Sequence, residues 1–140
     1  MASDGTHGHG TALVAGTNGT VGNIISVSID GQTRDAVDIS TMDSTSKFRE
    51  FISGMADAGE VTVEVNYDGS AAGVANDLNT LYQAGAVATT WTIVFSDTSD
   101  FESFGCITNM SVAVPFDDKI TQSITIKLTG KPTFTDVAAA

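Results

Sequence analysis

Residues 41–69, TMDSTSKFREFISGMADAGEVTVEVNYDG, hold the pattern on which the fold turns. The second half alternates strictly over 60–67. Val61, Val63, Val65 and Tyr67 fall on one side, and Glu60, Thr62, Glu64 and Asn66 on the other. Successive strand side chains point to opposite faces, so this period describes a strand with one buried and one wet face. Asp68-Gly69 supplies the turn chemistry that ends it. The first half, 41–59, is long for a connection inside a compact domain. It carries Phe48, Phe51, Ile52 and Met55, with Lys47, Arg49 and Glu50 among them. So many large apolar groups need a cover, either the chain's own core through a helical turn folded back on it or another molecule.

Working outward, 23–29 predict a first strand with Ile25, Val27 and Ile29 on one face. Asp30-Gly31 is a strong hairpin signal, and 32–39 then return with Val37 and Ile39 inward. Downstream, 70–85 show the one helical period, a helix over about 71–84. Val74, Leu78, Leu81 and Tyr82 make its apolar stripe, Ser70 caps its start and Gly85 stops it. Gly73 costs about a kcal/mol against Ala, which packing offsets. Residues 89–96 predict a strand that turns Trp91, Ile93 and Phe95 to one face, followed by a turn at 97–100. A long strand over 101–116 places Cys106, Met110, Val112, Val114 and Phe116 together, with Ile107, Asn109, Ser111 and Ala113 opposite. Pro115 cannot donate to a ladder, so this end belongs at an edge or a bulge. After Asp117-Asp118, 119–129 return with Ile120, Ile124, Ile126 and Leu128 inward, and Lys119, Thr121, Ser123, Thr125 and Lys127 outward.

The flanks read differently. Residues 1–22 are rich in Gly, Thr and His without a sustained period and read as a flexible N-terminal arm. Residues 131–140 read as a C-terminal tail anchored by Phe134. Between them, 23–130 form one domain of six or seven strands in antiparallel hairpins with a single helix. The predicted fold class is mainly β: an antiparallel β-sandwich or partly open barrel with one flanking α-helix, a long loop at 41–59 and extended terminal arms.

Composition narrows the functional classes. The chain has 140 residues, 17 acids against 6 bases and a formal net charge of −11. Phosphate binding needs clustered Lys and Arg, so specific nucleic-acid recognition is disfavoured. Cys106 stands alone, so an intrachain disulfide is impossible, and its place in a strand pattern predicts a small buried hydrophobe. No run approaches the roughly 18 apolar residues of a membrane span. The start, MASDGTHGHGTALVAG, lacks the basic and apolar regions of a secretory signal, which predicts synthesis and first use in a cytoplasm.

A search for chemistry returns nothing. His7 and His9 flank Gly8 in the arm, but the chain has no further histidine, and a complete zinc site is not expected. The DTSD run at 97–100 lacks the Gly and distal Glu of a calcium loop and reads as a hairpin connection. Cys106 has no base partner. Asp117 and Asp118 are adjacent in a turn, not opposed across a cleft as an acid–base pair would be. No glycine pattern cradles phosphate. The expectation is no enzyme, no cofactor and no metal.

The run FREFISGMADAGEVTVEVNYDG resembles the major tail tube protein of long-tailed bacteriophages. ISVSIDGQTRDAVDISTMDS upstream, with LNTLYQAGAVATTWTIVFSD and GCITNMSVAVPFDDKITQSITIKLTGKPTFT downstream, extends the resemblance over about residues 24–134. The specificity lies in the ordered series: an acidic 38–43 segment, an Arg-Glu-Phe loop, an Ala-Asp-Ala-Gly turn, then the alternating strand. The resemblance implies hexameric rings that stack into a hollow tube, each subunit giving a sheet to a continuous inner barrel. It implies a conduit through which DNA passes without specific binding. The implied partners are further copies of the chain, a tape measure protein, a tail terminator and baseplate or tip proteins. The implied location is the virion tail, with assembly in the host cytoplasm.

By the same resemblance, loops and arms bridge subunits and rings, so Phe48, Arg49, Phe51, Ile52 and Met55 are the candidate interface residues. Glu64 is the candidate acidic residue of the bore, whose wall is either the Thr62 and Glu64 face or the outward face of 119–129. Lys119 and Lys127 argue against the latter. Two other readings compete: the inner tube of a contractile tail or type VI-like secretion machine, and a monomeric immunoglobulin-like binding module.

Overall fold

The computed structural model describes residues 8–15, 20–21, 24–68, 74–85 and 89–136. Ser70, Gly73, His7 and residues 137–140 lie outside these. Among the described residues there are nine strands and one α-helix. In chain order they are β1 (Ala12–Ala15), β2 (Thr20–Val21), β3 (Ile24–Asp30), β4 (Thr33–Asp38), β5 (Phe51–Asp57) and β6 (Glu60–Asn66). Helix α1 (Val74–Ala84), β7 (Thr89–Val94), β8 (Asp100–Ala113) and β9 (Thr121–Thr135) follow. Seven strands form one sheet in the order β2-β1-β7-β8-β9-β6-β3, and β4 pairs only with β5. Every pairing is antiparallel. Of the two predicted architectures this is the partly open barrel: a single curled sheet, a half-barrel, not two sheets face to face.

The alternation over 60–67 sets the interior. Val61, Val63 and Val65 are fully buried on β6, and their neighbours Ile124 and Ile126 on β9 are equally so. Leu13, Trp91, Ile93, Phe101 and Ile107 continue the same face across the other strands, and Leu78 of α1 covers it. Each Val, Leu or Ile buried in this way contributes about 1.5–3 kcal/mol. The helix packs on β8. It ends where Gly85, at φ +61°, returns its N–H to the Leu81 and Tyr82 carbonyls, the left-handed stop that glycine favours. The Trp91 indole N–H donates to the Gly105 carbonyl at 3.2 Å, so its polar end is satisfied inside the core. Gln122 is less well served. It lies on the core face, and its Oε1 finds no donor among the described residues, a cost of about 1–3 kcal/mol.

Several expectations are corrected. Residues 12–15 and 20–21, read as part of a flexible arm, form β1 and β2, and Leu13 and Ala15 are buried against β7. Residues 131–135, read as tail, continue β9 against β8. Residues 51–57, read as loop, are β5. Asp30-Gly31 does not close a two-residue hairpin between β3 and β4, because β3 pairs with β6 and β4 with β5. Val37 and Ile39 therefore point away from the core and are about half exposed. A register shift in β3 between Ile24 and Ser26 turns Ile24 toward the core and leaves Ile25 exposed. A second shift in β8 between Ile107 and Asn109 inverts its parity. Ile107 and Met110 consequently share the core face, Cys106 is half-buried on the other, and Val112 is half exposed.

The two pairs β3·β6 and β4·β5 are one hairpin. Asp30 faces Glu60 and Thr33 faces Asp57 in an unbroken register, with Gly31 opposite Gly59 at the interruption. Both glycines have left-handed φ, +81° and +85°, a conformation that costs other residues about 1–2 kcal/mol. A Cβ on Gly59 would also collide with the Asp30 carbonyl oxygen. Gly59→Ala is therefore expected to destabilise the monomer by at least about 2 kcal/mol. Urea unfolding followed by Trp91 fluorescence measures it.

Candidate functional site

Beyond the paired glycines the hairpin leaves the sheet as a two-stranded ribbon, β4 and β5, tipped by residues 39–50. Every residue of β4 is exposed, and β5 is exposed apart from a half-buried Gly54. The pairs Val37↔Ile52 and Asp38↔Phe51 put Val37, Ile39 and Ile52 on one face and Phe51 on the other. The ribbon is apolar on both faces and packs on neither. An isolated two-stranded hairpin is marginal in water, and contiguous exposed apolar surface marks a contact with another molecule. The helical turn folded back on the core is not what forms. The only helical piece here is a 3-10 turn, Thr45–Lys47, at the ribbon tip.

The tip has a defined shape. Ser46 and Lys47 both take left-handed backbone, at φ 58° and 62°. A hydroxyl network brackets them. The Thr41 N–H donates to Ser44 Oγ at 2.9 Å, Ser44 Oγ–H to Glu50 Oε2 at 3.2 Å, and the Glu50 N–H to Ser40 Oγ at 2.7 Å. The Ser40 N–H donates to Asp38 Oδ1 at 2.8 Å, and hydrogen bonding from Ser40 holds the Asp38 carboxyl below its usual range. With these bonds made inward, Lys47, Phe48 and Arg49 are left pointing out. Phe48 is 75% exposed and Met55 86%. The candidate interface residues Phe48, Arg49, Phe51, Ile52 and Met55 are thus brought together on one projecting element.

The root of the ribbon is clamped. Lys127 Nζ on β9 lies 2.8 Å from Asp57 Oδ1 and 3.4 Å from the Gly59 carbonyl, while the Gly59 N–H donates to the same Asp57 oxygen at 2.7 Å. The Lys127 ammonium and then the Gly59 amide lower the Asp57 carboxyl below its ordinary 3.8. Where the ribbon parts from β9 a cleft opens, lined by Arg34, Asp57, Ala58, Lys131 and Pro132 among others.

The second surface is the wet face of the sheet. Glu64 sits opposite Ser26 on β3 and Ser123 on β9, and Ser123 opposite Ser111 on β8. The next row is Ser28, Thr62, Thr125 and Asn109, and the one beyond is Asp30, Glu60, Lys127 and Cys106. The two alternative bore walls, the Thr62 and Glu64 face and the outward face of 119–129, are therefore one surface on adjacent strands. Lys119 lies off it, in the turn before β9. Lys127 lies at its margin and is engaged by Asp57. Hydroxyls and acids dominate what remains. Among the described residues no cluster of His, Cys, Asp and Glu could hold a metal, and no helix is long and apolar enough to cross a membrane.

A family model described as the lambda phage tail tube protein matches residues 4–135. The chain belongs to that family. Searching curated proteins returned no match. Among solved structures, the virion of a native gene transfer agent particle superposes with a TM-score of 0.77 at 13% identity, covering 94% of this chain and 100% of that one. A chain of the anti-feeding prophage tube-terminating cap gives 0.76 at 11% identity, with 99% and 95% covered. The SPP1 tail tube gives 0.62 at 11% identity, with 94% and 79% covered. At these identities the likeness shows the fold: the tail tube fold of a curled sheet with one helix. The family assignment and the single open sheet together set aside an immunoglobulin-like sandwich.

The ribbon itself was only half readable beforehand. Its apolar residues were found, but β5 was not, because a register shift between Arg34 and Ala36 and exposure on both faces erase any alternation. The clamp had no local signal, since Lys127 and Asp57 are 70 residues apart. It makes its own test. Because the folded Asp57 value is depressed, the stabilisation is complete above the unfolded value of 3.8 and is lost as pH falls below it. Carboxyl-detected NMR is expected to place the Asp57 titration below 3.8, and Lys127→Met to move it upward. An Asp57 that ignores the Lys127 substitution would dissolve the clamp.

Proposed function

We propose that this tail tube protein polymerises into stacked hexameric rings that form the tube of a long-tailed phage and conduct DNA into the host. The observation that carries the reading is the ribbon: an ordered, doubly apolar element that covers nothing of its own molecule. Open sheet borders argue the same way. β3, a seven-residue strand, has no partner on its outer side within the sheet. Unpaired strand edges invite pairing with another chain, and a ring of subunits removes them. On this reading the other components of the tail, a tape measure protein, a terminator and baseplate or tip proteins, meet the tube at its bore and ends. The chain works in the virion after assembly in the host cytoplasm. Its role is structural, with no catalysis and no cofactor. A family model for a lambda-type tube favours a non-contractile tail over a contractile or type VI-like machine.

Within this reading Phe48, Arg49, Phe51, Ile52 and Met55 are inter-subunit or inter-ring contacts, and the face carrying Glu64 lines the bore. A wall of hydroxyls and carboxylates repels the DNA phosphates and lets the duplex slide. Negative-stain microscopy of concentrated protein tests the whole reading. Hollow tubes are expected, and a strictly monomeric species at high concentration would overturn it.

Two substitutions test its parts. Phe51→Ala is expected to leave a folded monomer that polymerises poorly, since losing a desolvated aromatic at an interface costs about 2–4 kcal/mol. Tubes as abundant as those of the parent would reject the ribbon as an interface. Glu64→Lys is expected to preserve tubes but slow DNA passage in an infection assay, whereas unchanged infectivity with intact tubes would reject Glu64 as part of the bore.

A further inference from the structure

Two exposed apolar projections stand at opposite ends of the sheet. The ribbon leaves at the end marked by Asp30, Glu60 and Lys127. The connection between β8 and β9 lies at the other end, past Asn66, Thr121 and Ala113. In that connection Val114 is 70% exposed and Phe116 fully so. The Tyr67 N–H donates to the Ile120 carbonyl, which ties the connection to the end of β6.

The charges next to their two rings are opposite. On the ribbon tip Phe48 is flanked by Lys47 and Arg49, and among the described residues neither cation has an ion pair or hydrogen bond. On the connection Phe116 is followed by Asp117 and Asp118. Asp117 likewise has no partner among the described residues, while Asp118 Oδ1 accepts only from the Lys119 N–H at 2.7 Å. One projection offers a ring between two free cations, the other a ring beside two carboxylates. The two cannot meet within one molecule. β6 separates them by roughly 20 Å at about 3.3 Å per residue, and the ribbon, exposed on both faces, does not fold back over its own sheet.

Resting on the tube reading, we infer that the ribbon tip of one copy, Lys47-Phe48-Arg49, docks on the β8–β9 connection of another copy, Val114 to Asp118. A contact between two different patches is heterologous; because these two patches stand at opposite ends of the sheet, it leaves a free tip at one end and a free receptor at the other and stacks copies along that direction. That is the geometry that successive rings of a tube need. The occupant is a second copy because complementary charge and complementary apolar surface are both present on this one chain. The hydroxyl network fixes the tip before it docks, which reduces the ordering cost of association.

The test is a charge exchange read by tube yield and critical concentration, with negative-stain microscopy of each sample. Arg49→Glu and Asp117→Arg, singly, are each expected to raise the critical concentration about tenfold or more, as close charge pairs at an interface do. The double variant is expected to recover most of that loss. A second measurement uses Phe48→Cys with Phe116→Cys in a Cys106→Ser background. Mild oxidation of its tubes should give a ladder of covalent oligomers beyond the dimer, and either cysteine alone should not. If the parent forms tubes but the exchange restores nothing and no ladder appears, the docking is overturned and the tube reading stands. If the parent never assembles, the tube reading falls and the docking with it.

Discussion

Gly31 faces Gly59 across an otherwise continuous antiparallel pair, and the division of the molecule depends on that one point. On one side of it the pair belongs to the core: β3 and β6 lie in the seven-stranded sheet, with Val61, Val63 and Val65 buried. On the other side the same pair, in the same register as far as Arg34 and Ala56, is a free ribbon. Both glycines take left-handed backbone there, and a Cβ on Gly59 would run into the Asp30 carbonyl oxygen. Asp57 and Lys127 then hold the departing strand to β9, an exposed pair of modest worth alone. Its value lies in direction, because it fixes where the ribbon starts.

On the proposed reading, the division explains how two demands are met in one short chain. A stable core requires apolar groups to be hidden, and assembly requires them to be presented. Here the groups are sorted by position. Strict alternation directs them inward on β6 and β9, while β4, β5 and the β8–β9 connection present them outward at the two ends. The wet face between is kept free of large apolar side chains where β3, β6 and β9 meet, leaving hydroxyls and acids in registered rows.

How far the sequence disclosed this differs by element. β6, β7 and β9 were legible because one face is buried and the other wet, which writes period two into the residues. The helix stop was legible at Gly85 for its backbone reason. β1 was hidden because four residues, ALVA, are too short to show a period inside a Gly- and Thr-rich stretch. β5 was hidden because it buries nothing, so burial imposed no pattern on it. The faces of β8 were misassigned before Thr108, because one extra residue there swaps inside for outside and puts Ile107, not Cys106, on the face of Met110. Residues 131–140 read as a tail, yet β9 passes through Gly130, at φ +75°, and continues to Thr135. Phe48, Arg49, Phe51, Ile52 and Met55 stood out as apolar groups needing cover. The pairing that gathers them, and the rows around Glu64, depend on contacts between distant segments that no local pattern records.

The ribbon shares almost no side chains with the packed interior, so on the proposed reading the residues that govern adhesion and those that govern folding are nearly disjoint sets. Mutations can accumulate in one without burdening the other. A lineage can thus retune how firmly its subunits hold together while the barrel beneath stays the same, and two related chains can diverge in whom they accept as neighbours long before they diverge in shape.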